Sequence, residues 1–353
     1  MAEKVLMKGN EAIAEAAISA GCRHYFGYPI TPQTEIAAYM AKKMPKIGGC
    51  FLQAESEIAA INMVYGVAAT GKRVMTSSSS PGVSLKQEGI SYLAGSDLPA
   101  VIINVQRGGP GLGGIQPSQA DYFQATKGGG HGDYHLIVYA PNSVQEMADL
   151  TVKAFEKADE YLMPAMVLAD GTMGQMMEPV EFLEGESKQF EKPWALTGHK
   201  DERKHNVINS LYLDPDVLEK LNFERYERYA IVEKNEVMYE ETFVDDADIV
   251  VVASGIASRV SMAAIHQARE KGIKVGMIRP ITLWPFPKEP IKKAAEHAKV
   301  MISVELSMGQ MIEDVRLASE CKIPVELCNR CGGMIPQTAQ VLEHIEKVAG
   351  GLK

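Results

Sequence analysis

Gly27-Tyr28-Pro29-Ile30-Thr31-Pro32, followed by the amphipathic residues 33–44, reads as an apolar strand that turns through two prolines into a helix. Proline suits the first helical position, where its missing N–H would have no partner, so Pro32 makes Thr31 the expected N-cap. A hydroxyl and free amides at a helix N-terminus can hold a carboxylate or a phosphate. Alone, such a turn is equally well a capped helix; the rest of the chain has to decide.

Outward from that turn, short apolar runs at 25–28, 50–53, 73–76, 100–105, 136–139 and 165–168 alternate with helical periodicity at 11–20, 33–44, 57–69, 83–94 and 144–161. Ser143 and Glu146 open the last helix as a capping box. Alternation of this kind predicts an α/β fold, a doubly wound, mostly parallel sheet with helices on both faces, over residues 1–185. Residues 186–245 are rich in Glu, Lys and Pro with weak periodicity, and read as a linker that wraps a surface. Strand and helix patterns resume over 246–353, a second, smaller α/β domain.

The 353 residues carry a net charge of −9, with no Lys/Arg cluster interleaved with aromatics, which argues against nucleic-acid binding. No apolar run has the length of a membrane span, and residues 1–8 are charged without an apolar core, so a cytoplasmic protein is expected. The five cysteines do not form a disulfide framework. Cys328 and Cys331 have metal-like spacing but lack a second pair, so no metal site is expected in this chain, and iron-sulfur clusters would belong to another.

Three further features sit where strands give way to helices, the edge at which α/β sheets bind ligands. Glu55 and Glu57 begin an apolar helix; either could complement the helix dipole, but Glu57 adjoins Ile58, Ala59 and Ala60, and an apolar setting suits a carboxyl that exchanges a proton. Ser77-Ser78-Ser79-Ser80-Pro81-Gly82 is a hydroxyl-rich turn without the Gly-Lys-Ser/Thr ending of a phosphate loop. Arg107, ahead of a run of glycines, is placed for a bidentate grip on a carboxylate or for anchoring its own loop. His131, in the glycine-rich segment 127–133, has no evident acid or base partner, and that segment reads as a loop with the composition of a lid.

Tyr28-Pro29-Ile30-Thr31-Pro32, Glu57-Ile58-Ala59-Ala60, Ser79-Ser80-Pro81-Gly82 and Arg107-Gly108-Gly109-Pro110 together resemble the pyrimidine-binding, alpha-type subunit of 2-oxoacid:ferredoxin oxidoreductases. Ile278-Arg279-Pro280-Ile281-Thr282-Leu283-Trp284-Pro285 and Glu305-Leu306-Ser307-Met308-Gly309-Gln310 resemble the transketolase C-terminal-type domain of the same family. Met7-Lys8-Gly9-Asn10-Glu11-Ala12 and the stretch from Ile115 to Phe123 are most similar to its branched-chain, 2-oxoisovalerate branch.

The resemblance implies thiamine diphosphate bound between this chain and a beta-type subunit that holds the diphosphate and Mg2+. A gamma-type subunit and a ferredoxin-like subunit with [4Fe-4S] clusters would complete the complex, with coenzyme A as co-substrate and ferredoxin as acceptor. By the same resemblance Glu57 hydrogen-bonds the aminopyrimidine ring nitrogen, Ser79, Ser80 and Pro81 line the cofactor, and Thr31 and Arg107 hold the substrate carboxylate. The Gly-Asp-Gly motif with downstream Asn residues that holds diphosphate and metal in thiamine enzymes is absent, Asp170-Gly171 being no substitute, so the chain alone is expected to be inactive. Competing readings are a 2-oxoglutarate-specific subunit, a non-catalytic scaffold subunit, and an unrelated α/β enzyme that holds a phosphate at the serine turn.

Overall fold

Apolar runs too short for helices and bounded by Gly, Pro and polar residues become strands, and the amphipathic segments between them cover the resulting sheet. The computed structural model describes residues 4–182 and 187–352. The first part contains β1 (Val5–Lys8), α1 (Gly9–Ser19), β2 (His24–Gly27), α2 (Thr34–Lys43), β3 (Cys50–Gln53), α3 (Glu57–Ala69), β4 (Val74–Ser78), α4 (Ser80–Gly95), β5 (Val101–Gln106), α5 (Tyr122–Thr126), β6 (Ile137–Tyr139), α6 (Val144–Tyr161), β7 (Ala165–Asp170), α7 (Gly171–Gln175) and β8 (Met177–Val180). After α8 (Pro215–Asn235) and β9 (Tyr239–Thr242) come β10 (Ile249–Ala253), α9 (Gly255–Glu270), β11 (Val275–Pro280), β12 (Thr282–Trp284), α10 (Lys288–Ala294), β13 (Val300–Glu305), α11 (Met311–Ala318), β14 (Val325–Asn329) and α12 (Thr338–Gly351).

The first sheet has seven strands in the order β12-β6-β7-β5-β4-β2-β3, all parallel except β12. Its central strands β4, β5 and β7 are buried along their whole length, as a sheet covered on both faces requires. Register places Ser78 beside Asn104 and Gln106 beside Asp170, so the C-terminal ends of these strands share one edge. A second sheet, β14-β13-β10-β11-β9, is parallel except for β9, and β1 pairs with β8.

The two sheets are not independent in sequence. β11 belongs to the second sheet, but β12, two residues later, crosses over to pair with β6 at the edge of the first. Arg279, at the end of β11 and 1% exposed, donates from Nη1 and Nη2 to both carboxylate oxygens of Glu146 in the first turn of α6, at 2.9 and 2.6 Å. Its Nε reaches Glu240 at 2.8 Å. A fork of this kind desolvates the guanidinium while satisfying it. The capping box at Ser143 is half formed: Ser143 Oγ accepts from Glu146 N, but Glu146 takes the amide of Asn142 rather than that of Ser143.

Two expectations need correction. Thr31 is not an N-cap: α2 starts at Thr34, and Gln33 N–H bonds the Ile30 carbonyl, leaving Thr31 and Pro32 at the corner of a turn joined by a cis peptide. An N-cap at Thr31 would give the Thr31 carbonyl to the first helical bond, but Arg107 Nη1 takes that carbonyl at 3.0 Å, and Asn10 Nδ2 donates to the next one, that of Pro32, at 2.8 Å. The segment expected to be linker carries the 21-residue α8. Only Arg225, Tyr229 and Val232 of α8 are buried, so the helix lies on the surface with almost no apolar stripe to reveal it. The boundary expected at 185/186 lies outside the described residues.

Candidate active site

Three parallel strand ends build the site. After β2, the turn at Thr31 is held from below by Asn10, which also donates to Glu35 at 2.8 Å, and by Gln33, whose Oε1 accepts from Ser77 Oγ at 2.5 Å. Thr31 itself is exposed. At the end of β5, Arg107 is 7% exposed and donates from Nη1 to the Thr31 carbonyl at 3.0 Å and from Nη2 to the Leu112 carbonyl at 3.1 Å. Its Nε is buried without a partner, and no carboxylate lies within ion-pair range of it among the described residues. A buried guanidinium with no counter-charge is costly unless an anion completes it.

The serine turn after β4 joins this cation to Glu57. Ser80 Oγ donates to Asp121 at 2.6 Å and accepts from Arg107 N at 3.0 Å, so its hydroxyl is used within the chain. Ser78 Oγ and Ser79 Oγ are buried with no partner among the described residues. Glu57, 6% exposed, begins α3 behind the cap Ser56, whose side chain accepts from Ala59 N. Pro81 lies in the first turn of α4. A Cβ added to Gly82 would stand 2.5 Å from Glu57 Oε1 and closer still to Ser78 Oγ, so only glycine lets these two side chains close over the start of α4.

Below them lies Lys86, fully buried on α4, with Nζ donating to Thr76 Oγ1 at 2.6 Å and to the Ser77 carbonyl at 3.1 Å. Burial pushes its ammonium down to about 7, against the opposing charge of Glu57. Lys86 escaped sequence reading because a lone lysine in a helical pattern looks like part of a solvated face.

The stretch from Ile115 to Phe123 pins the site to the second domain. Asp121 accepts from Ser80 and from Asn104 Nδ2 at 2.9 Å, and its amide donates to Gln106 Oε1 at 3.1 Å. Burial raises the Asp121 carboxyl, and those hydrogen bonds oppose the rise. Gln119 exchanges two hydrogen bonds with the backbone of Leu306, at 3.0 and 3.1 Å, and Gln310 bonds Ala120 and Phe123. Glu305, 2% exposed, receives the amides of Gln310, Met311 and Ile312 and the hydroxyls of Ser303 and Ser307. The Glu305 to Gln310 motif is therefore a buried anion at a helix start that shapes the docking loop.

Thr31 and Arg107 are brought into direct contact, Ser80 binds Arg107, and Ser78 and Gly82 link that group to Glu57. His131 is exposed and its carbonyl accepts from Ser91; its ring meets the edge of Tyr92. Cys328 is buried and Cys331 exposed, and no cluster of His, Cys, Asp or Glu suited to a metal occurs among the described residues. No helix among them is long and apolar enough to cross a membrane.

Comparison with known proteins agrees with this architecture. Residues 15–242 match the family model described as pyruvate flavodoxin/ferredoxin oxidoreductase, thiamine diphosphate-binding, and residues 247–341 match pyruvate:ferredoxin oxidoreductase core domain II. The ketoisovalerate oxidoreductase subunit VorB of Methanothermobacter marburgensis is 56% identical over 98% of both chains. The 2-oxoglutarate synthase subunit KorA of the same organism is 38% identical over 98% of this chain and 99% of its own. Among solved structures, the 2-oxoglutarate:ferredoxin oxidoreductase of Magnetococcus marinus, with 2-oxoglutarate, coenzyme A and succinyl-CoA bound, superposes with a TM-score of 0.87 at 26% identity, over 99% of this chain and 66% of that one. A split-gene transketolase shares the fold, with a TM-score of 0.58 at 12% identity over 98% of each chain. The chain belongs to the 2-oxoacid:ferredoxin oxidoreductase family.

Proposed function

We propose that this chain is the pyrimidine-side subunit of a thiamine diphosphate-dependent enzyme that oxidatively decarboxylates a branched-chain 2-oxoacid to its coenzyme A thioester and reduces ferredoxin. The observation that carries the reading is the buried, carboxylate-free Arg107 with an unpartnered Nε beside Thr31. A 2-oxoacid carboxylate supplies the missing counter-charge, received by the guanidinium and the exposed Thr31 hydroxyl.

The residues fit the pyrimidine end of the cofactor. Ser78 and Ser79 offer two buried hydroxyls without partners, and Glu57 lies against Gly82 with no side-chain atom between them. Glu57 accepts or returns a proton at the ring nitrogen, Arg107 and Thr31 orient the substrate, and the Asp121 network holds Arg107 in place. When bound, thiamine diphosphate supplies the carbanion and the electron storage that no side chain here provides.

The remaining parts come from partners: a beta-type subunit for the diphosphate and Mg2+, a gamma-type subunit, and a ferredoxin-like subunit carrying [4Fe-4S] clusters. Leu52, Ile58, Leu85, Leu112 and Ile115, on the segments that carry the site residues, are exposed apolar side chains of the kind that another subunit covers. The branched-chain assignment is favoured over 2-oxoglutarate by the relatives, VorB subunits at 55–56% identity against KorA subunits at 36–39%.

The test is coexpression with the partner subunits and coenzyme A-dependent dye reduction with 2-oxoisovalerate, 2-oxoglutarate and pyruvate. Faster turnover of 2-oxoisovalerate supports the reading. A preference for 2-oxoglutarate overturns the substrate, and full activity of the partners without this chain overturns the catalytic role in favour of a scaffold.

A further inference from the structure

We propose that Gly333, in a turn of the second domain, is a positioning residue for Arg107: the turn braces the neck of the loop whose tip holds the guanidinium, and so sets how tightly the 2-oxoacid carboxylate is gripped. The inference rests on the role given to Arg107 above. Residues 107–117 form a closed loop: Arg107 pairs with Pro117 in an antiparallel bridge, Gly108 N–H donates to the Gln116 carbonyl at 2.8 Å, and Gly114 N–H donates to the Gly108 carbonyl at 2.8 Å. The Leu112 carbonyl, which receives Arg107 Nη2, lies at the tip, where the Leu112 side chain is 82% exposed. A Cβ built on Gly109 or Gly111 would meet nothing within 4 Å, so the tip stands in open space at these positions.

The neck is crowded instead. A Cβ on Gly108 would stand 3.1 Å from Gly333 N and 3.2 Å from the Gly332 carbonyl carbon, and a Cβ on Gly333 would stand 2.5 Å from Gln116 Cβ. The turn therefore lies directly on both sides of the neck. Met334 N–H bonds the Cys331 carbonyl across it at 3.3 Å, and its central residues Gly332 and Gly333 have φ of 65° and 97°. The turn hangs from the motif that docks the two domains: Asn329 of β14 pairs with Glu305 of β13, Arg330 N–H donates to the Glu305 carbonyl at 3.2 Å, and Asn329 Nδ2 donates to the Ser307 carbonyl at 2.6 Å.

Positive φ alone accounts for glycine in such a turn. At position 333 the approach to Gln116 adds a second, separate demand on the same residue. Ordinary contact begins at about 3.5 Å, so a methyl group there would force turn and neck apart by about 1 Å. Carried along the closed loop, that displacement draws the Leu112 carbonyl away from Arg107 Nη2. A guanidinium that has lost one of its two carbonyl anchors is no longer held in register for a bidentate grip.

Steady-state kinetics of the assembled complex carrying Gly333→Ala tests this. KM for the 2-oxoacid should rise about tenfold with kcat within about twofold, while KM for coenzyme A stays at its wild-type value. Gly272→Ala is the control for backbone strain: its φ is 80° and its Cβ would meet nothing within 4 Å, so it should leave KM unmoved. Adding Gln116→Gly to Gly333→Ala leaves the new methyl group 3.7 Å from the Cα at position 116 and should return KM to within about threefold of wild type. On an Arg107→Met background Gly333→Ala should add nothing, because the turn acts through the guanidinium. Gly108→Ala, which lacks a positive φ, crowds the turn from the other side and should raise the same KM by a smaller factor. An unmoved oxoacid KM in Gly333→Ala, or in Gly108→Ala where Gly333→Ala does not assemble, overturns the inference, as does an equal rise in KM for coenzyme A or a failure of Gln116→Gly to lower the oxoacid KM. An Arg107→Met complex with wild-type KM overturns the reading of Arg107 along with it.

Discussion

Gly82→Ala places a methyl group in the space that Glu57 and Ser78 share. The new Cβ would stand 2.5 Å from Glu57 Oε1 and 3.2 Å from its carboxyl carbon. Ordinary contact begins at about 3.5 Å, so the carboxylate must retreat by about 1 Å. A displacement of that size at a reacting group costs on the order of 10^2-fold in rate. Stability should fall by about 0–2.5 kcal/mol, because alanine gains about 0.5–1 kcal/mol over glycine in a helix against about 1–3 kcal/mol for crowding. The assay is oxoacid-dependent dye reduction by the assembled complex, with circular dichroism and a denaturant titration to verify the fold. Gly89→Ala is the control, because its methyl group meets Ile61 and not the carboxylate; it should lower stability and spare turnover. A folded Gly82→Ala enzyme that turns over within about twofold of wild type would refute the assignment of Glu57 to the reacting end of the site.

Three further outcomes follow from the same geometry. Arg107→Met should raise KM for the oxoacid and lower kcat/KM by on the order of 10^2-fold or more, with Arg107→Lys recovering part of the loss, as steady-state kinetics will read. Asp170 caps α7 through the amides of Thr172 and Met173, beside a cavity of about 20 Å3 between the domains, and burial pushes its carboxyl up from 3.8 to about 6. The folded state therefore holds a proton that the unfolded state releases between those values, so stability falls by up to about 3 kcal/mol as pH rises from 4 to 6. Asp170→Asn keeps an acceptor and should flatten that limb in denaturation measured against pH. Arg279→Met strands Glu146 without its fork and should cost about 3–5 kcal/mol in denaturant unfolding.

The alternation of strands and helices was legible because each buried strand is a short apolar run with polar or glycine boundaries, as at β5 and β7, whose limits fall within two residues of the runs read at 100–105 and 165–168. Long-range partners were not. β12 is three residues between two prolines, and its place at the edge of the first sheet depends on β6, more than a hundred residues earlier. α8 was hidden because its buried stripe is Arg225, Tyr229 and Val232, of which only the valine is a plain apolar signal; Asp214 followed by Pro215, a capped start, was the cue available.

At the site, Glu57, Arg107 and Thr31 stand out in sequence as chemically expressive residues at strand ends. Their supports, Asn10, Gln33, Ser78, Lys86 and Asp121, look ordinary there, because their roles exist only once distant segments meet. The N-cap expectation for Thr31 failed for that reason, since Arg107 and Asn10, from distant segments, take the Thr31 and Pro32 carbonyls that would have begun the helix.

The central claim is that Glu57 works at the pyrimidine of thiamine diphosphate, and the most direct measurement is thiamine diphosphate-dependent turnover of the assembled complex carrying Glu57→Ala. The account predicts a folded, assembled complex whose kcat is lower by on the order of 10^2-fold or more. A Glu57→Ala complex that turns over 2-oxoacid at the wild-type rate would contradict it.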